Sequence, residues 1–144
     1  MEFSKAMNKP KLSSNLIEAA NRAEVSAILI REGYKVYRPE ADDGGEDLVL
    51  SRPSGDLVAV QLKGRLHVER GKYSGRGIWM LFPCSPWNEG ASRAWFLIPH
   101  DTLFEYMEER HGHAAGFAEG KWSVRKPSKE AREFLEPYEI KLSD

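Results

Sequence analysis

Four side chains in the first half of the chain could together do chemistry: Glu24 in "AEVSAILIREG", Asp47 in "GGEDLVL", and Gln61 with Lys63 in "VAVQLKG". Carboxylates and an amide oxygen are ligands that a hard divalent cation takes, and a lysine beside such a cation stabilises negative charge developing on a substrate oxygen. Each residue also has a plain structural reading. Glu24 at the edge of a helical stripe would pair with Arg31 or Lys35, and Gln-X-Lys is a common ending for a half-exposed strand. The combination favours the chemical reading: an acid on the leading helix, an acid opening one strand, and Gln61 with Lys63 closing the next.

Local charge is uneven, and taken alone it favours two solvated loops over a site. Residues 40–47 hold five acids (Glu40, Asp42, Asp43, Glu46, Asp47) and no base, whereas residues 63–76 hold five bases (Lys63, Arg65, Arg70, Lys72, Arg76) against the single acid Glu69. An acidic hollow beside a basic rim suits a metal-dependent site acting on a polyanion, the acids holding the cation and the bases holding phosphate. Two solvated loops of opposite sign would give the same tally. The formal net charge is −1, so the chain as a whole is not basic.

The elements that must position these residues can be read from periodicity and breakers. "SSNLIEAANRAEVSAILIREG" predicts a helix with a Ser or Asn cap and Gly33 as its stop. Neighbours three and four apart group Glu24 with Ala20, Ala27 and Ile28, continuing back to Leu16 and Ile17, so Glu24 is expected to face the sheet; Glu18, among Ser14, Asn15 and Arg22, is expected to face solvent. "YKVYRP" reads as a short strand. Leu48 to Ser51 and Leu57 to Lys63 form a hairpin around a turn at Pro53 to Asp56. Alternation in its second strand sends Val58, Val60 and Leu62 to the core, and Leu57, Ala59, Gln61 and Lys63 to the other face. "GRLHVERGKYSGRG" reads as an exposed loop or mobile extension. "IWMLFP" and "AWFLIP" are strand-length apolar runs, "HDTLFEYMEERHG" is a second helix, and the tail holds a short strand, a helix from near Ser128 and an extended end. This order predicts a mixed α/β sheet with helices packed on it. Strict strand–helix alternation and a Gly-rich phosphate loop are both missing, which argues against nucleotide-binding folds of the doubly wound kind.

Taken together, these residues resemble the PD-(D/E)XK nucleases, especially the branch containing archaeal Holliday-junction resolvases and related small endonucleases. Glu24, Asp47, Gln61 and Lys63 carry the resemblance: Asp47 follows Glu24 by 23 residues and Gln61 follows Asp47 by 14. It covers about Leu16 to Ile98, where "AWFLIPHDTL" is similar to the late strand and following helix of such proteins. Two positions depart from the pattern. Glu46 stands where a proline usually precedes the aspartate, and Gln61 stands where most members carry a carboxylate, which removes one negative charge unless Glu24, Glu46 or Asp43 supplies it. The resemblance implies a restriction-endonuclease-like α/β fold, a mixed four- to five-stranded sheet flanked by helices, in one domain over 1–144 with 1–12 as a flexible arm. It further implies hydrolysis of DNA phosphodiester bonds. Asp47, Gln61 and Glu24 would hold Mg²⁺ or Mn²⁺ together with a carbonyl near Leu62, Lys63 would stand beside the scissile phosphate, and Arg65, Arg70, Lys72 and Arg76 would grip the backbone of DNA, linear or branched. A homodimer is the implied assembly. Two alternatives stay open: a nuclease-fold protein that binds nucleic acid or a protein partner without cleaving, and a dimerising module whose acidic and basic stretches pair.

With 144 residues, 41% hydrophobic and 30% charged, the composition is that of one soluble globular domain. No apolar run approaches the roughly 20 residues of a membrane-spanning helix, and "MEFSKAMNKPKL" lacks the apolar centre of a secretory leader. Cys84 is alone, which excludes an internal disulfide and fits a reducing, cytoplasmic setting. His111 and His113 fit an exposed turn better than a metal pair, and no spacing joins Cys84 to His67 or His100 as nucleophile and base. Trp79 and Trp95 are expected in the core, and Trp87 as a stacking or dimer contact.

Overall fold

Ser13 opens the first helix by accepting the Leu16 N–H on its hydroxyl, and the helix, α1 (Ser14–Arg31), ends before Gly33. The computed structural model describes residues 11–41, 44–87 and 92–142; residues 1–10 of the expected arm, and Asp42 and Asp43 of the acidic run, lie outside these. After α1 come β1 (Lys35–Tyr37), β2 (Leu48–Ser51), β3 (Leu57–Leu62), β4 (Leu66–Glu69), the one-turn helix α2 (Arg70–Tyr73), β5 (Ile78–Pro83) and β6 (Trp95–Pro99). Helix α3 (His100–His111), β7 (Lys121–Val124) and α4 (Lys129–Leu135) complete the order, with Ser128 capping α4 through the Ala131 N–H.

The fold is α/β, built on a mixed five-stranded sheet in the order β1-β2-β3-β5-β6. Every pairing is antiparallel except β3 with β5, which run parallel. Both faces are covered. Val58, Val60 and Leu62 of β3 face α1 as alternation predicts, and pack with Leu48, Leu50, Leu81, Trp95 and Leu97 against Val25 and Leu29. On the opposite face Met80, Phe82, Phe96 and Ile98 pack against Leu103, Phe104 and Met107 of α3. Among the described residues no helix is long and apolar enough to cross a membrane.

Two expectations need correction. Residues 64–77 are not an exposed loop. A parallel β3–β5 pair requires a crossover, and this segment supplies it as β4 and α2, with Leu66 and Val68 fully buried and Tyr73 nearly so. β4 pairs with β7, more than fifty residues later in the chain, so its strand character depends on a partner that local pattern cannot reveal. The buried stripe of α1 is also shifted by one position: Asn21, Val25 and Leu29 are buried, while Leu16 is exposed. Counting apolar residues alone misplaced it, because the first inward residue is the polar Asn21.

Leu66→Ala is expected to lower the unfolding free energy by about 2–5 kcal/mol, the usual loss for emptying a packed leucine site. Urea denaturation reads it; a change within about 0.5 kcal/mol, as for an exposed site, would restore the loop reading.

Candidate active site

The antiparallel register of β2 and β3 pairs Leu48 with Val60, so Asp47 and Gln61 become neighbours at one end of the sheet. Asp47 is locked there twice. Its N–H donates to the Val60 carbonyl at 2.9 Å, and its Oδ1 accepts the Leu62 N–H at 3.0 Å. Gln61 reaches toward the same carboxylate, with Nε2 at 3.5 Å from Asp47 Oδ2 and 3.4 Å from the Leu62 carbonyl. Both contacts lie beyond the usual N–H···O range and hold the amide weakly. Lys63 is tied to β5 by its N–H to the Leu81 carbonyl at 2.9 Å, and its Nζ stands 5.9 Å from the centre of the Tyr73 ring. The chain reaches Asp47 over Gly45, at φ +94°, where a Cβ would lie 3.1 Å from Ile78 Cδ1 and 3.5 Å from the Lys72 carbonyl oxygen. Glycine is therefore needed for both conformation and space, and the acidic segment packs against α2 within one chain.

Glu24 is committed elsewhere. It faces inward, as expected, but its Oε1 accepts from Arg93 Nη2 at 2.7 Å and its Oε2 from the Trp95 indole at 2.7 Å and Arg93 Nε at 3.3 Å. Arg93 is 2% exposed at its side chain, against 27% for Glu24. Arg93 also donates to Asn21 Oδ1 at 2.6 Å and the Ser85 carbonyl at 2.8 Å, and its guanidinium lies over the Trp87 and Trp95 rings. Sequence reasoning missed this residue. Its signal was a lone arginine between two tryptophans, but it sat in a polar connection that read as a loop.

A second polar group flanks Lys63. His67 Nε2 lies 3.1 Å from Glu69 Oε1 and Nδ1 lies 2.6 Å from Ser123 Oγ across the β4–β7 pair. Burial pushes the His67 imidazole below its ordinary value, and Lys63 and Lys72 push the same way against the pull of Glu69. Burial acts to raise Glu69, but His67, Lys72 and Lys121 outweigh it and hold the carboxyl below its usual range. His100 is wholly buried, accepts the Glu69 N–H at Nε2 (3.0 Å) and pairs with Asp101 through Nδ1; burial lowers it more than Asp101 raises it. A neutral imidazole satisfied at both nitrogens supports the start of α3, so His100 has a structural task.

The four basic residues do not form one patch. Lys72 lies near enough to act on both His67 and Glu69. Arg76 donates weakly to the Gly71 carbonyl, and Arg70 pairs with Glu108 of α3 at 3.5 Å. Arg65 lines a cavity beside α1 instead. His111 is stacked on Trp122 rather than standing in an open turn, and Cys84 packs at the edge of the core.

Among the described residues no three or more His, Cys, Asp and Glu side chains form a group that could hold a metal ion. The Asp47 carboxylate, the Leu62 carbonyl and the Gln61 amide nonetheless fit Mg²⁺ or Mn²⁺. Such an ion uses one or two carboxylates, other oxygen donors and several waters, and half a turn of the loosely held amide would present its oxygen. Glu46 adds a buried Oε1 with no hydrogen-bond partner among the described residues, one bond away in the chain from Asp47. Comparison with models of protein families, with curated proteins and with solved structures finds no match in any of the three.

Arg93→Ala should cost about 3–5 kcal/mol of stability, because it leaves the Glu24 carboxylate and the Asn21 amide without their buried partner. Denaturant unfolding measures the loss; a cost below about 1 kcal/mol would mean that the ion pair contributes no more than a surface pair.

Proposed function

We propose that the chain is a metal-dependent endonuclease of the PD-(D/E)XK kind, with a restriction-endonuclease-like fold, that hydrolyses DNA phosphodiester bonds using Mg²⁺ or Mn²⁺. The observation that carries this reading is the meeting of Asp47, the Gln61 amide and the Leu62 carbonyl at one end of the sheet, with Lys63 next in the chain. The helix-first order and the mixed sheet flanked by helices support it.

Asp47 would hold the cation with the Gln61 amide oxygen and the Leu62 carbonyl. Bound there, the ion would polarise the phosphate and lower the pKa of a water. Lys63 would supply positive charge to the phosphate oxygens, its backbone fixed by Leu81 and its ammonium confined near the Tyr73 ring. Lys72 on α2 and Arg76 just after it would continue that charge and hold a nucleic-acid backbone without reading sequence. Glu24 enters as a positioning residue through Arg93, its outer-sphere contact with a hydrated cation being the remaining part of its expected ligand role. A homodimer belongs to the same reading, with Tyr37 and Leu57 exposed on the β1–β3 side of the sheet, and a reducing, cytoplasmic setting fits the lone Cys84.

One observation favours the second reading, a fold relative that binds nucleic acid or a protein partner without cleaving: Glu24, the second acid of the pattern, is already bonded to Arg93 and Trp95.

Linear and branched DNA incubated with Mg²⁺ or Mn²⁺ should be cut, and EDTA should stop it. Asp47→Asn and Lys63→Ala should each slow cleavage by about 10²-fold or more, the usual loss for removing transition-state charge stabilisation. Salt-dependent binding without cleavage would select the second reading, and neither cleavage nor binding would remove both.

A further inference from the structure

A cavity of about 260 Å³ opens where the chain leaves β3, lined by Ile17, Asn21, Gly64, Arg65, Trp87 and Arg125 together with Pro86. Gly64 directly follows Lys63, so the cavity begins one residue from the proposed site. Its walls differ in chemistry. Ile17 and Pro86 are apolar and Trp87 offers an aromatic surface, held in place by the Arg93 guanidinium 5.4 Å from its ring centre. Arg65 and Arg125 bring two positive charges, both on exposed residues at the rim. Asn21 contributes a directed donor. Its Oδ1 is taken by Arg93, which fixes the amide and leaves Nδ2 beside Gly64, where a Cβ would lie only 3.3 Å from it. Glycine at 64 keeps the approach to Nδ2 open.

An aromatic plane, a fixed amide donor and two arginines are the groups that recognise a nucleotide: stacking for the base, a hydrogen bond for its ring carbonyl, and cations for its phosphate. The volume lies below the roughly 300–1,000 Å³ of pockets that enclose drug-sized ligands. It suits one nucleotide and not a base pair, whose bases are stacked inside a duplex and cannot reach Trp87 without unpairing. We propose that this cavity, at the end of the sheet where the chain leaves β3, takes a single unpaired nucleotide, so that the chain prefers DNA with an unpaired strand over fully paired duplex. The proposal rests on the nuclease reading for DNA as the ligand, but binding by the cavity does not depend on cleavage.

The test is therefore a binding measurement in EDTA on the full chain, following tryptophan fluorescence, with a 5′-phosphorylated oligothymidine strand and a blunt duplex as probes, both of one length chosen so that the duplex stays fully paired at the measuring temperature. The strand should bind about tenfold or more tightly than the duplex. Trp87→Ala and Arg65→Glu should each remove that preference. Because Trp87 touches Arg93, its variant is read only with an unchanged melting temperature, and Arg65→Glu, at an exposed position, carries the test if Trp87→Ala fails to fold. Equal affinity for strand and duplex, or a preference that survives Arg65→Glu, overturns the proposal. A strand preference in a protein that cuts no DNA would keep the cavity's role and remove the nuclease reading instead.

Discussion

A guanidinium taken out of water governs the end of the sheet where the candidate site lies. Burying a charge costs several kcal/mol unless it is paired and its donors are filled, and Arg93 is almost wholly buried. It meets that demand with four hydrogen bonds to Glu24, Asn21 and the Ser85 carbonyl, and with two indole rings beside its plane. Helix α1 is thereby tied to the segment between β5 and β6, two parts of the chain about seventy residues apart.

The same bonds set the electrostatics nearby. With both Glu24 oxygens engaged, Asp47 is left as the carboxylate that stands with Gln61 and the Leu62 carbonyl. Gln61 brings an amide where a second acid would double the negative charge, so the oxygen cluster is weakly charged and would hold a cation only loosely. Lys63 follows this cluster in the chain on a backbone pinned to β5, and Tyr73 lies near its ammonium only because the crossover folds as β4 and α2. A flexible crossover would leave the ammonium without a wall. Fold and site are thus linked through the parallel β3–β5 pair.

How much of this was legible depends on whether the determining partner is close in sequence. Val58, Val60 and Leu62 alternate within one strand, so the placement of Gln61 on the opposite face was readable, and the Pro53 to Asp56 turn set the register that brings Asp47 beside it. Ser13, Gly33 and Ser128 marked helix ends through bonds that span three or four residues. The stripe of α1 was misplaced because Asn21 is buried for a reason outside the helix, its bond to Arg93. β4 was missed because two inward residues, Leu66 and Val68, make too short a pattern without β7. Glu24 could be assigned its inward direction from periodicity, but not its partner, since Arg93 lies in a stretch rich in Ser, Gly and Pro whose polar character resembles any surface connection.

If a divalent cation binds at the end of the sheet, Asp47 and not Glu24 would hold it, and Mn²⁺ titration followed by calorimetry on folded protein distinguishes the two. The wild-type chain should bind one Mn²⁺ weakly, because affinity at an oxygen site falls with the charge of its ligands. Asp47→Asn should abolish that binding, and Glu24→Gln should leave it within about threefold. Loss of binding in Glu24→Gln with Asp47→Asn unaffected would contradict the claim.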